Sequence, residues 1–209
     1  MKIDLHVHIH RTSRCARCEI DEMAQAALNV GLDGIVVLDH NYHATREECD
    51  KCMAKFPKLK VFRGAELCFN NDDLVLISEN TIHFLPPYQQ KMHDTDQMSE
   101  WSHSPSNLVI LAHPYRRRDQ ISWNLNKFCP HAIEIGSNHI RKENRPKINQ
   151  LAMEFEMNTV AVSDAHKTRH LGGYCVDVNV AVDNEMELCR AIKNGWYTPM
   201  EKQFAPIII

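Results

Sequence analysis

The sequence predicts an α/β fold built on a parallel sheet, either a barrel or an open doubly wound sheet. Predicted strands and helices alternate along the chain with short connections, which is the pattern of βαβ units. Some predicted strands are continuous apolar runs, such as residues 34–39 (GIVVLD), as expected for strands that are buried on both faces. The length of 209 residues is about 1.4 times that of a typical domain, so we expect a single domain over residues 1–209.

The elements follow from local patterns. Ile20 opens an amphipathic helix that ends at Gly31, and Thr45 and Glu48 have capping-box spacing at the start of the next helix. The polar stretch 86–106 is interpreted as a surface connection, with a short helix near a site as the alternative. In chain order, the predicted strands are 2–7, 34–39, 60–66, 73–78, 81–85, 108–112, 132–136, 159–163 and 174–180, and the predicted helices are 20–31, 45–56, 141–156 and 184–194.

Composition excludes several classes of protein. With 44% hydrophobic and 24% charged residues, the chain is neither collagen-like, coiled-coil nor disordered. No apolar run approaches the roughly 20 residues that a bilayer crossing needs, and the opening MKIDLHVHIH is too polar for a signal peptide. We therefore expect a soluble, cytoplasmic protein. A net charge of −3 argues against an extended nucleic-acid-binding surface.

Ionisable side chains recur where predicted strands end. His6 and His8 lie two apart on the first strand, so the pleat points both to one side. The ends of later strands carry Asp39, His40, Glu66, His113, Glu134, Asp164 and His166. Any one of them alone would be interpreted as a solvated or hydrogen-bonded residue, but the carboxyl ends of parallel strands meet on one face. Burying so many ionisable groups together requires compensation, and a mixed imidazole–carboxylate set suits Zn, Mn or Fe.

Five short motifs then resemble, in order, those of the PHP (polymerase and histidinol phosphatase) family. They are Asp-Leu-His-Val-His at 4–8, Leu-Asp-His-Asn at 38–41, Gly-Ala-Glu at 64–66, Ala-His-Pro at 112–114 and Ser-Asp-Ala-His at 163–166. The resemblance extends from residue 4 to about residue 195. It implies a distorted, seven-stranded (β/α) TIM-like barrel with two or three divalent metal ions at its C-terminal face. It also implies hydrolysis of phosphate esters.

The resemblance also implies roles for individual residues. The ligands of a first metal would be His6, His8, Glu66 and Asp164. Glu66 would bridge to a second metal that His113 also binds, and His40 and His166 match ligands of a third. Asp164 would also steer the attacking water, and His166 would ligate the outer metal or act as an acid.

The chain departs from the family pattern in two places. Many members carry an Asp shortly after the first motif as a third-metal ligand, whereas residues 9–15 (IHRTSRC) contain no carboxylate. His10 is a candidate substitute, although a position at the mouth of the site is the more natural interpretation. The family's His after the Glu motif has no clean match either, and Asp72, Asp73 and His83 all stay open.

Basic residues near these motifs suit an anionic substrate. Arg116, Arg117 and Arg118 come soon after the Ala-His-Pro motif, where one of them would act as a fork for a phosphate. A solvated loop triplet is the alternative. Arg14 and Lys167 are further candidates. The expected partner is thus a small phosphorylated substrate, whereas the oligomeric state is not predicted.

Two CxxC pairs have the ligand count of a structural zinc site: Cys15 with Cys18, and Cys49 with Cys52. The gap between the pairs is longer than usual. Cys49 and Cys52, at positions i and i+3, would also suit the buried face of a helix. A zinc quartet therefore stays one of two interpretations.

The leading functional hypothesis is a metal-dependent phosphoesterase that acts on a small phosphomonoester or a short nucleotide through a metal-activated water. Hydrolysis of a C–N bond on the same metals, as in amidohydrolases, is the first alternative. The chain lacks an obvious bridging Lys after a central strand, which favours the phosphoesterase. The second alternative is a metal-binding regulatory module without catalytic activity.

Overall fold

The computed structural model describes residues 1–10, 15–69, 71–80 and 95–202 of the chain. Within these ranges the strands are β1 (Lys2–Val7), β2 (Gly34–Val37), β3 (Lys60–Phe69), β4 (Asp72–Ser78), β5 (Asn107–Ala112), β6 (Ala132–Gly136), β7 (Asn158–Ala161), β8 (Tyr174–Val178) and β9 (Tyr197–Glu201). The α-helices are α1 (Ile20–Asn29), α2 (Arg46–Lys55), α3 (Thr95–His103), α4 (Arg145–Glu154) and α5 (Glu185–Lys193).

The strands form one sheet in the order β7-β6-β5-β4-β3-β2-β1-β8-β9. β1, β2 and β3 are parallel to one another, as are β5, β6 and β7. β4 lies antiparallel between β3 and β5, so β3 and β5 run in the same direction. Six strands therefore direct their carboxyl ends to one edge of the sheet.

This sheet curves almost into a closed barrel. The segment after β7 returns to β1, where the Ala165 N–H donates to the His6 carbonyl at 3.2 Å and the His8 N–H donates to the Ala165 carbonyl at 2.9 Å. The α/β class and barrel shape are thus confirmed. The predicted count of seven strands is not confirmed, because the described residues form nine, including the antiparallel pair β8–β9.

Apolar side chains fill the barrel and cover its outside. The interior includes Leu5, Val36, Val75 and Ile110, and residues of α5 close one end of it. A second cluster packs α1 and α2 against the outer face of β1–β3, and a third packs α3 and α4 against β4–β6. Full burial of each such side chain contributes about 1.5–3 kcal/mol, so the core holds the strand ends in place.

An irregularity in β1 aims the first motif at the mouth of the barrel. The pairing of β1 with β2 shifts register between Asp4 and Val7. Before the shift, Leu5 packs into the barrel interior, whereas Val7 after it packs into the outer cluster under α1 and α2. A β-bulge re-aims side chains in this way. The histidines on either side of Val7 therefore face inward at the carboxyl edge.

Local signals in the sequence account for several boundaries. Thr45 and Glu48 form the predicted capping box of α2, in which the Glu48 N–H donates to Thr45 Oγ1 at 3.2 Å. The predicted helix 141–156 is a short 3₁₀ turn followed by α4, with Pro146 in its first turn. The predicted strand 81–85 lies outside the described residues. Of the stretch 86–106, the structure describes α3 and the residues after it.

None of the helices in the described ranges combines the length and the apolar character that a bilayer crossing requires.

Candidate metal centre

The predicted site residues gather at the carboxyl edge of the barrel. β1 contributes His6 and the adjacent His8, and β3 contributes Glu66. The segments that follow β2, β5 and β7 contribute His40, His113, Asp164 and His166. Five of them, namely His6, His8, Glu66, His113 and Asp164, are at most 4% exposed. These five buried donors come from β1, β3 and the segments after β5 and β7, so four strands bring them into one constellation.

The innermost group joins the first and last motifs. The Nε2 atoms of His6 and His8 lie 3.1 Å apart. Asp164 Oδ1 is 3.4 Å from Nε2 of His6 and 3.3 Å from Nε2 of His8. Glu66 Oε2 lies 3.2 Å from Nε2 of His8. Potential ligand atoms of His6, His8 and Asp164 all lie within 4.8 Å of one another, and Glu66 adjoins this set through its contact with His8.

A second group lies on the other side of Glu66. Its Oε1 is 2.9 Å from Nε2 of His113, and Asp73 Oδ2 is 3.8 Å from the same nitrogen. These three residues form a compact, buried set of possible ligands. Of the two described residues among those that the sequence left open here, Asp73 is the one in the cluster. β4 runs antiparallel and so brings its amino end to the carboxyl edge of its neighbours.

The other two have different surroundings. Asp72 accepts a hydrogen bond from the Ser122 N–H at 2.8 Å, so it holds a loop. His83 lies outside the described residues. His10 is exposed and lies 3.3 Å from Glu19 Oε1. His10 is therefore a residue of the rim.

A third group lies nearer to solvent and contains an unpredicted member. Potential ligand atoms of His8, Cys15, His40 and His166 all lie within 4.8 Å of one another. Burial alone would raise the pKa of the Cys15 thiol, but hydrogen bonds with His166 and His40 lower it to about 5. The sequence offered a signal for this role, since Cys15 falls in the stretch after the first motif where a carboxylate was sought.

This placement separates Cys15 from the other members of the predicted zinc quartet. Cys49 and Cys52 lie on the buried face of α2 and pack into the outer apolar cluster, which Cys18 also contacts. Burial raises the pKa of the Cys49 thiol to about 12 and that of Cys52 to about 11, as expected for structural thiols. Within the described ranges, Cys18, Cys49 and Cys52 belong to no cluster of three or more metal-binding side chains. Among the described residues, the four cysteines therefore form no common cluster, and the zinc quartet stays an interpretation of the sequence alone.

Glu134 orients two of the donors without belonging to the clusters. Its Oε1 accepts a hydrogen bond from Nδ1 of His6 at 2.7 Å, and its Oε2 accepts one from the His113 backbone N–H at 2.7 Å. Because Nδ1 of His6 then carries the proton, the lone pair of Nε2 faces the site. A carboxylate behind a histidine in this way is the usual support of a metal ligand.

Two further residues were not singled out by the sequence. Nδ1 of His139 lies 2.5 Å from Asp164 Oδ2, at the partly exposed rim. Asp4 is fully buried, and its Oδ1 accepts from the N–H groups of His6 and Ser163 at 3.2 and 3.0 Å, which ties β1 to the segment after β7. His139 follows β6 by three residues, so its position after a strand end was a signal of the same kind as the others.

Backbone strain is concentrated at the site. His113 has φ of 26° and Asp164 has φ of 51°, values in the left-handed region that few non-glycine residues adopt. Such conformations cost about 1–3 kcal/mol each and persist where the surrounding structure over-determines them. Here the strain lies on two of the candidate ligands.

The electrostatics of the donor set fit bound cations. Burial opposes the charged form of His6, but Asp164 and Glu134 raise its pKa well above the usual range. Burial likewise opposes ionisation of Glu66, yet four surrounding histidines hold its pKa well below the usual range. The buried Asp164 Oδ1 has no hydrogen-bond partner. Because metal ligation requires deprotonated ligands, divalent cations would replace these protons. A cation would also give Asp164 Oδ1 the partner that it lacks.

Two of the three predicted arginines lie over the clusters. Arg116 Nη1 is 3.6 Å from Asp164 Oδ2, and Arg117 Nη1 is 3.4 Å from Asp73 Oδ2. Both line a small cleft next to His113. Arg118 instead lines a separate surface hollow. Arg14 lies outside the described residues, and Lys167 immediately follows His166.

Together, the barrel and the donors at its carboxyl edge define a class of protein: an α/β barrel whose carboxyl edge carries clusters of His, Asp and Glu side chains that could hold metal ions. A PHP-associated family model matches residues 142–196, which include Asp164 and His166. A comparison with curated proteins finds no match. This match bears out the resemblance to the PHP family over residues 142–196, and solved structures share the fold.

Three of those structures illustrate the likeness. A two-domain protein from Bacteroides vulgatus, described as containing a predicted PHP-like metal-dependent phosphoesterase, has a TM-score of 0.71 at 16% identity, over 96% of this chain and 64% of its own length. This chain thus spans less than two thirds of that protein. PsfC from Pseudomonas syringae has a TM-score of 0.71 at 15% identity, over 97% of this chain and 91% of its own. An amidohydrolase from Chromobacterium violaceum, solved with bound sulfate and no metal, has a TM-score of 0.58 at 12% identity, over 79% of this chain and 88% of its own.

Proposed function

We propose that this protein is a metal-dependent phosphoesterase that hydrolyses a small phosphomonoester or a short nucleotide. The observation that carries the proposal is the position of Arg116 and Arg117, whose guanidinium groups lie 3.6 and 3.4 Å from carboxylates of the candidate metal centre. An anionic phosphoryl group held by cations at that centre would meet both guanidinium groups. Arginine forks match phosphate geometry, which favours this substrate class.

The candidate ligands divide into three sets. His6, His8, Glu66 and Asp164 would hold one cation, and Glu66 with Asp73 and His113 would hold a second. His40 and His166 would contribute to a third. Zn, Mn or Fe suits these donors, and such cations supply an activated water and Lewis-acid polarisation of the phosphoryl oxygen.

The chain's own residues prepare this chemistry. Glu134 holds a proton of His6 on Nδ1, so Nε2 is the nitrogen that would ligate a cation. Nδ1 of His166 lies 3.0 Å from the Asp164 carbonyl, and because it must donate there, Nε2 is left to ligate. This supports the ligand role of His166 over that of an acid. His139 holds Asp164 Oδ2 at 2.5 Å, which orients the carboxylate that would steer the nucleophile.

The proposal is tested by measuring inorganic phosphate released from p-nitrophenyl phosphate and from nucleoside monophosphates, with Zn, Mn or Fe added after chelation. Activity should depend on metal and should fall in Arg116→Ala and Arg117→Ala. Arg118→Ala is the matched control, since its side chain lies away from the cleft. Release that survives chelation, or falls equally in all three variants, would contradict the proposal.

Hydrolysis of a C–N bond is the second candidate, because the fold is shared with the amidohydrolase from Chromobacterium violaceum. The same protein samples, incubated with a panel of amides and cyclic amides, distinguish the two. Metal-dependent cleavage of an amide without release of phosphate from any ester would favour the second candidate.

A further inference from the structure

The outermost ligand cluster contains a thiol where the family pattern has a carboxylate. His40 and His166 are the residues that the sequence assigns to a third metal, and the stretch that should supply the acidic ligand ends instead in Cys15. The structure brings potential ligand atoms of these three residues, together with one of His8, within 4.8 Å of one another.

Backbone hydrogen bonds hold the residues that follow Cys15 against the site. The Arg17 N–H donates to the carbonyl of His166 at 3.0 Å, and the His10 N–H donates to the carbonyl of Cys18 at 2.9 Å. The residues on either side of Cys15 are therefore tied to the segments that carry the other ligands. The position of the thiol beside two imidazoles follows from this anchoring.

The two imidazoles are also supported from behind. Nδ1 of His40 lies 3.0 Å from Glu66 Oε2, and Nδ1 of His166 lies 3.0 Å from the backbone carbonyl of Asp164. Each histidine thus uses Nδ1 toward the inner site, so Nε2 is the nitrogen that would ligate an outer ion. Ring orientation by such partners is typical of metal-ligating histidines.

We infer that the Cys15 thiolate replaces the missing carboxylate as a ligand of the outer metal, with His40 and His166 completing a Cys-His₂ set. The inference rests on the proposed metal centre but makes a separate claim about its outer ion. Three protein ligands leave one position of a tetrahedral ion open. A thiolate selects thiophilic ions such as Zn²⁺ or Co²⁺ over Mn²⁺ or Mg²⁺, which prefer oxygen. The outer site is thus chemically different from the inner, carboxylate-rich sites.

Cobalt substitution gives a readout that does not depend on activity. The purified, chelated protein is reloaded with Co²⁺, and absorption in the near ultraviolet reports thiolate-to-cobalt charge transfer. We expect the band in the wild type, and we expect Cys15→Ser to lose it together with about one bound equivalent, as the removal of a single site requires. Cys18→Ser is the matched control, and it should keep both the band and the full cobalt content.

A second variant keeps the test decisive if removal of the thiol disturbs the loop. Cys15→Asp restores the carboxylate of the family pattern, so it should bind the outer ion without the band and should accept Mn²⁺ there. A wild type without the band, a band that persists in Cys15→Ser, or a band lost in Cys18→Ser would each overturn the inference. If the band appears as expected while no phosphoester is cleaved, the proposed function fails and the Cys15 assignment stands.

Discussion

The carboxylate of Glu134 provides a sharp test of how the site is organised. Its two oxygens accept hydrogen bonds of 2.7 Å from Nδ1 of His6 and from the His113 N–H, and Glu134 is fully buried. In Glu134→Gln only one of these positions can hold an oxygen that accepts. If the amide NH₂ faces His6, Nδ1 must accept and Nε2 must carry the proton, which blocks ligation. If it faces His113, a buried N–H loses its partner.

Either outcome weakens metal binding. Loss of a supporting carboxylate of this kind costs about 10- to 100-fold in metal affinity, which corresponds to about 1.4–2.7 kcal/mol. The assay is competition for Zn²⁺ with a chromogenic chelator, and circular dichroism of the metal-free protein checks folding. Glu154→Gln on the exposed face of α4 is the control and should bind as the wild type does. A folded Glu134→Gln protein with wild-type affinity would refute the tautomer argument.

Four other outcomes are expected. Arg116→Ala or Arg117→Ala should raise KM, with a loss of about 1.5–3 kcal/mol of substrate-binding free energy, as for a charge-assisted hydrogen bond. An unchanged KM in both variants would show that these side chains are solvated and do not bind the substrate. Asp164→Asn should lower turnover by at least about 100-fold with the fold retained, and near-full activity with metals bound would contradict the mechanism. Chelation should lower Tm, because the cations bind only the folded chain, and a constant Tm in calorimetry would exclude that linkage. Burial, and after it the charge of Lys193, lowers the pKa of His131 from 6.5 to about 4. The unfolded chain therefore binds this proton more tightly than the folded chain. The free energy of unfolding should then fall as the pH drops from about 6.5 to about 4. His131→Gln should flatten that dependence in denaturant titrations, and an equally steep loss would assign it to other groups.

Local patterns in the sequence predicted much of the framework. The apolar run after Gly34 is a buried parallel strand, and the Thr45–Glu48 pair caps α2 as its spacing indicates. These features depend on residues close together in sequence, so pattern and propensity determine them. The histidine pair of β1 was likewise placed on one side by the pleat.

Strand direction could not be predicted in the same way. The apolar run of β4 has the composition of a parallel strand, but its short connection to β3 forces an antiparallel pairing. The antiparallel direction of β4 brings Asp73 to the site. Because this direction could not be predicted from the sequence, the assignment of Asp73 stayed open. The antiparallel pairing of β8, which the sequence did predict as a strand, and the presence of β9 were missed for a similar reason, because pairing partners are decided by tertiary contacts.

The role of Cys15 illustrates a second limit. Its CxxC spacing suggested a zinc site with Cys49 and Cys52, yet those two thiols pack into the apolar layer beneath α2. The position of Cys15 is fixed by loop hydrogen bonds to residues more than a hundred positions away, such as the contact from Arg17 to His166. Spacing in the sequence carries no information about such a contact.

The central claim is that buried donors from several strands form a multinuclear metal centre. Elemental analysis of protein purified without added metal or chelator tests it most directly. We expect about two equivalents of Zn, Mn or Fe in the inner sites, as a two-metal centre requires, and a further equivalent of a thiophilic ion at the outer site. If folded protein held less than about half an equivalent of metal per chain in total, the claim of a metal centre would be contradicted. The paired donors at its centre would then have no cation to satisfy them.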